Sequence, residues 1–239
     1  KAYDRRLDRT VALKTLRAGS TRTDKQVERF VREAKAAARL DHPNIVTCYE
    51  SGTFGGWHYL TMAFVKGESL HDRLNRGPLE AQEAARLLQA LAKAVMHAHE
   101  HGVIHRDIKP GNVILSEDGR PRLTDFGIAK LIDPITSPVP HTQLTQVGQA
   151  LGTPGYMAPE QSSGRRWEVG PSTDIYGVGG VLVAALTGHH PTDHDSFETL
   201  TQEIPEKLQT ICDRCLAFRP QDRYTAANQL EAALSEYLS

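Results

Sequence analysis

Two hydrophobic periods run along the chain. Residues 10–14 (Thr10, Val11, Ala12, Leu13, Lys14) are β-branched and alternating after a charged stretch from Asp4 to Arg9, which reads as a turn feeding a strand. From 24 to 40 the apolar positions Val27, Phe30, Val31, Ala34, Ala37 and Ala38 recur at helical spacing. Residues 41–46 end that helix and open another strand, and 57–65 form a further strand. A long amphipathic helix follows over 79–101, with Leu87, Leu88, Leu91, Ala94, Val95 and Ala98 on its buried face and Gly102 as its stop. Gly119, Arg120 and Pro121 turn between two short strands. Residues 172–186 form an apolar helix stopped by Gly188. Leu208, Ile211 and Leu216 mark another helix, and 225–238 closes the chain.

Between these elements, residues 131–152 are rich in Pro, Thr and Gln with few large apolar residues. Such a segment cannot order itself by burial. A length of 239 residues fits one large domain or two small lobes around a cleft, and 39% hydrophobic residues suffice for a core. The 28 basic and 29 acidic residues nearly cancel, so no global field calls for nucleic acid. The longest apolar stretch, 178–186, is half a membrane span. No signal peptide opens the chain, and without an initiating Met it reads as a fragment.

Three cysteines, Cys48, Cys212 and Cys215, point to a reducing compartment rather than a disulfide scaffold. Cys212 and Cys215 form a lone Cys-x-x-Cys pair without partner ligands, which favours a buried helix face over a metal or redox centre. His97, His99 and His101 cannot chelate together, because residues two apart point to opposite sides of a helix.

The densest chemistry lies at His105-Arg106-Asp107-Ile108-Lys109-Pro110-Gly111-Asn112. A carboxylate, a lysine and a carboxamide share eight residues, and the Pro-Gly pair forces a turn on which they can converge. Thirteen residues beyond Asn112 stands Asp125-Phe126-Gly127. Two acids and an amide that meet around a phosphate need a divalent cation between them, and oxygen donors of this kind suit magnesium. These stretches resemble the catalytic and magnesium loops of eukaryotic-like (Hanks-type) protein kinases, with Lys109 as in the Ser/Thr-specific members. Residues 152–160, Gly-Thr-Pro-Gly-Tyr-Met-Ala-Pro-Glu, independently resemble the end of a kinase activation segment. The resemblance covers nearly the whole chain and is closest to bacterial-type Ser/Thr kinases.

The resemblance implies an α+β, protein-kinase-like two-lobed fold: a small antiparallel sheet lobe with helix C, then a larger, mainly helical lobe. The boundaries would be 1–65 and 66–239, with the catalytic loop at 105–112 and the activation segment at 125–160. It implies ATP and Mg2+ (or Mn2+) as cofactors, and proteins with Ser or Thr acceptors as partners. Asp107 would orient the acceptor and take its proton, Lys109 would steady the γ-phosphate, and Asn112 and Asp125 would hold the metal. Lys14, locked by Glu33, would hold the α and β phosphates; without the signature, that pair reads as a solvated surface contact. Ala12 would roof the adenine and Ile114 floor it, with Ala63 and Val65 offering backbone groups and Met62 guarding the inner pocket. Arg106 would pair with a phosphate on the loop, Thr145 first and Thr142 second, added by the enzyme itself, in trans if two kinase domains pair. His105, Phe126, Gly127 and Thr153 would be structural; Asp174 would hold the catalytic loop or simply cap its helix; Glu160 would pair with Arg223. The catalytic domain would be cytoplasmic, in a parent protein that could be membrane-anchored.

Three features depart from the pattern. The glycine-rich phosphate loop, which would lie upstream of Lys1, has no replacement near the N-terminus, so the piece is expected to bind ATP poorly and to expose a sheet edge. Lys66 stands where an acid often meets the ribose, and 188–208 is short for a helix and a proline-rich loop. The competing reading is a pseudokinase, a binding or scaffolding module without turnover.

Overall fold

A computed structural model of the protein describes residues 1–17, 35–126, 155–191 and 204–239. Strands β1 (Ala2–Asp4), β2 (Arg9–Arg17), β3 (Cys48–Phe54) and β4 (Trp57–Ala63) form an antiparallel sheet in the order β1-β2-β4-β3. The β1–β2 turn is drawn tight by Asp4, whose Oδ1 accepts from the backbone N–H groups of Arg6 and Leu7. Gly55 and Gly56 supply the β3–β4 turn with φ of 54° and 77°. Positive φ at both central residues is what a two-residue hairpin of type I′ demands.

Register decides which residues face the interior. Ala12 lies opposite Met62 and Lys14 opposite Leu60, so these four share one face. Leu60 and Met62 are buried on that face and join Ala37, Leu40, Ile45 and Val46 in the core. β3 begins at Cys48 rather than within 41–46. The residues before it instead reach a second sheet: Val46 N–H donates to Leu123 O at 2.9 Å and Leu123 N–H to Asn44 O at 2.8 Å. That sheet orders β5 (Gly67–Ser69), β6 (Val113–Ser116) and β7 (Pro121–Leu123) as β5-β6-β7.

The helices are α1 (Leu70–Leu74), α2 (Ala81–Glu100), α3 (Pro159–Ser162), α4 (Pro171–Thr187), α5 (Glu206–Cys215) and α6 (Ala227–Leu238). Of the helix expected over 24–40, residues 35–37 are helical and 24–34 lie outside the described residues. The expected 79–101 and 225–238 helices each start two residues later, at Ala81 and Ala227. α4 is buried on nearly every side and ends at Gly188, whose φ of 72° suits glycine. It packs between α2 and α5. Cys212 and Cys215 are free, buried thiols on α5, both held protonated by burial. They are core residues, and inert ones. Among the described residues no helix is long and apolar enough to cross a membrane.

Candidate active site

The turn after α2 carries the site. Asp107 receives two side chains: Lys109 Nζ lies 3.2 Å from its Oδ2, and Asn112 Nδ2 donates to the same oxygen at 3.0 Å. Asn112 Nδ2 also donates to the Asp107 carbonyl at 2.7 Å. These bonds fix the amide's orientation and turn its Oδ1 away from Asp107. Pro110–Asn112 is a single helical turn that brings the amide back onto the aspartate.

Asp174, buried near the start of α4, holds the backbone of that turn. Its Oδ2 accepts from His105 N–H at 2.8 Å and its Oδ1 from Arg106 N–H at 2.7 Å. Gly170 is the helix cap, so Asp174 is not. His99 meets the same carboxylate through Nε2 at 2.8 Å. Arg106 stands at φ 65°, a left-handed conformation that a residue with a Cβ rarely adopts.

His105 joins the two acidic loops. Its Nε2 donates to Thr124 O at 2.9 Å and its Nδ1 accepts from Asp107 N–H at 3.2 Å. Both bonds need the neutral ring. Burial pushes the His105 pKa down, against the opposing pull of Asp174, the Thr124 carbonyl, Asp107 and Asp125. Thr124 N–H returns to Asn112 O at 2.9 Å. Phe126, buried, lies with its ring centroid 4.6 Å from that of His105.

Asp125 follows Thr124 with φ 61°, and its Oδ1 lies 2.9 Å from Lys14 Nζ. Both line a cavity of about 450 Å³ between β2, β4 and β6. Ala12, Met62, Ala63, Val65 and Ile114, the five residues expected to form the apolar slot, line it as well. Val46, Phe64 and Thr124 also line it without having been expected; Thr124 Oγ1 contacts Met62 Sδ at 3.5 Å. Lys66 is absent from this lining, whereas Glu68 and Ser69 belong to it. Gly111 lines this cavity and also a second, of about 430 Å³, with Lys109, Pro110 and Tyr156. The two cavities thus share Gly111, which belongs to the same turn as Asp107.

Asn112 Oδ1 and the Asp125 carboxylate are the donors suited to a divalent cation. Among the described residues no group of three or more His, Cys, Asp or Glu could cage a metal unaided. Two protein oxygens fit magnesium, which keeps several waters and leans on substrate phosphates.

Glu160 and Arg223 pair as expected. Nη1 and Nη2 donate to Oε1 and Oε2, each at 2.9 Å, with both side chains fully buried. Glu33, Gly127, Thr142, Thr145 and Thr153 lie outside the described residues, as does 192–203.

A model of the protein kinase domain matches residues 1–235. The chain belongs to the protein kinase family. Kinase-domain relatives include the probable serine/threonine-protein kinase PknB of Lactococcus lactis, 37% identical over 93% of this chain, and PrkC of Bacillus subtilis, 34% identical over 97%. The chain spans 37% of the length of each of these relatives. The PknI kinase domain of Mycobacterium tuberculosis superimposes with a TM-score of 0.75 at 28% identity, covering 95% of this chain and 85% of that one. The two-lobed kinase architecture, of bacterial Ser/Thr type, is thereby established.

Proposed function

We propose that this kinase domain transfers the γ-phosphoryl group of ATP to Ser or Thr hydroxyls of proteins. The observation that carries the reading is the convergence of Lys109 and Asn112 on the Asp107 carboxylate, in a turn whose Gly111 lines two cavities. One is a flat apolar slot, small-roofed by Ala12 and floored by Ile114, with a Lys14–Asp125 pair at its polar end. That combination suits a purine nucleotide. The other, lined by Lys109 and Tyr156, offers room for an acceptor segment beside Lys109.

Asp107 accepts the acceptor's proton and orients its oxygen. Lys109, already beside Asp107, steadies charge on the transferred group. Lys14 holds phosphates. Asn112 and Asp125 hold the divalent cation, Mg2+ or Mn2+, which neutralises phosphate charge when bound. This division of labour is mostly positioning and electrostatics. Residues 1–65 and 66–239 act as the two lobes, and the free thiols suit a reducing, cytoplasmic location. A binding module without turnover has no specific observation in its favour among the described residues.

Incubating the protein with ATP and magnesium, beside its Asp107→Asn form, tests the proposal. The wild type is expected to phosphorylate a protein substrate and its own loop, Thr145 before Thr142. Asp107→Asn should lose orders of magnitude in turnover while still binding nucleotide. Equal phosphorylation by the two forms would refute the role of Asp107.

A further inference from the structure

Arg106 sits in a left-handed conformation at φ 65°, directly before Asp107. Its N–H is taken by Asp174 at 2.7 Å. Its carbonyl is taken by Gln161, whose Nε2 donates to it at 2.9 Å. That carbonyl belongs to the same planar peptide as the Asp107 N–H, and this N–H donates to His105 Nδ1 at 3.2 Å. The peptide joining Arg106 to Asp107 is thus gripped at its oxygen by Gln161 and at its hydrogen by His105. A rigid plane held at both ends cannot rotate, so the direction in which Asp107 leaves the backbone is set.

The Gln161 amide is used at its other end too. Its Oε1 accepts the Ala158 N–H at 3.2 Å, the reach of a residue in the first turn of α3 back to the helix cap. One planar group therefore ties the end of the 155–158 segment to the peptide that aims Asp107. A carboxamide offers a donor on one side and an acceptor on the other. Glutamate would turn an anion toward the Arg106 carbonyl, leucine would leave both groups unpaired, and asparagine is one methylene too short.

We propose that Gln161 is a positioning residue for phosphoryl transfer, fixing the Arg106–Asp107 peptide and making the aim of Asp107 depend on the docking of the 155–158 segment. This rests on the reading of Asp107 as the catalytic carboxylate. Gln161 itself touches no reacting atom.

The test compares Gln161→Leu and Gln161→Glu with the wild type in the intact protein. Three readouts apply: kcat and KM on a Ser/Thr peptide, thermal unfolding, and amide hydrogen exchange of residues 104–108. In each folded variant kcat is expected to fall roughly tenfold to a hundredfold, the order expected of a misplaced catalytic group. Nucleotide affinity should stay at the wild-type value, and exchange at 104–108 should quicken. Gln161→Glu keeps the acceptor toward Ala158 and loses only the donor, so wild-type kcat in that variant would overturn the proposal. So would a kcat loss that merely tracks the unfolded fraction, or unchanged exchange at 104–108 in either variant. A wild type without turnover would sink the proposed function instead, and the exchange readout would still decide whether Gln161 holds this peptide.

Discussion

His105 spans the distance between the Asp107 and Asp125 loops with a single neutral ring. A protonated imidazole has no lone pair to accept the Asp107 N–H, so charging this ring breaks the link between Asp107 and Thr124. Burial lowers the His105 pKa, the nearby Asp174 only partly offsetting it. An unfolded histidine titrates near pH 6.5, so below that pH the unfolded chain binds more protons than the folded one. The stability that His105 contributes is whole above about pH 6.5 and is lost as pH falls through the folded-state value. His42, lowered by burial and by neighbouring His97 and Lys93 against an opposing Asp41, adds the same sign. Urea midpoints are therefore expected to fall between pH 7 and 5, with a shallower fall in His105→Gln. A flat wild-type profile over that range would defeat the argument. The polar residues around His105 were legible in the sequence because one short turn holds them. Thr124 and Val46 were not, since neither carries distinctive chemistry. Gln161 was missed for a similar reason: its one signal is an amide three residues into a helix, and its second contact lies 55 residues away.

At the scale of elements, α4 explains how the Asp107 turn is held so close to the helical core. Its apolar run and its stop at Gly188 could be read from the pattern, but the meaning of Gly177 could not. A glycine inside a helix sacrifices about 1 kcal/mol against alanine, and nothing local returns it. The return lies across the interface. A Cβ at Gly177 would stand 2.9 Å from Ile108 Cβ and 3.0 Å from Ile108 O. Gly179 plays the same part toward α5, where an added Cβ would meet Cys215 Cβ at 2.4 Å. Because backbone oxygen cannot swing aside, Gly177→Ala is expected to destabilise the fold by about 1–3 kcal/mol despite its better helix propensity. Ile108 adjoins Asp107, so turnover should fall further than the loss of folded protein explains. A denaturant midpoint that rises in Gly177→Ala would show that the approach of α4 is looser than this.

Across the whole molecule, the Glu160–Arg223 pair ties the segment beyond the second cavity to the C-terminal helices. Arg223 also donates to the carbonyls of Ser172, Ala217 and Phe218, and Thr173 Oγ1 donates to Glu160 at 2.8 Å. Ser172 and Thr173 lie two residues or fewer from Asp174, so the pair and the catalytic turn share the first turn of α4. Resemblance to a family named this pair; no spacing rule could have joined residues 63 apart. Burial would raise the Glu160 pKa, but the hydrogen bonds from Arg223, the backbone and Thr173 outweigh it, and the carboxyl is held below its usual range. Its contribution is thus present above about pH 4.5 and lost as pH falls through the lower folded value. Arg223→Met removes the partner and leaves the carboxylate buried, which costs about 3–5 kcal/mol at neutral pH. Burial is then opposed only by the Thr173 and backbone hydrogen bonds, the Glu160 pKa rises, and acidification should bring the variant closer to wild type. Adding Glu160→Gln should recover part of the loss, since a buried amide needs no counter-charge. Urea unfolding of the two single variants and the double, at pH 7 and pH 4.5, measures this coupling. Losses that simply add at neutral pH would mean that the pair, though bidentate and buried, does not act as a unit.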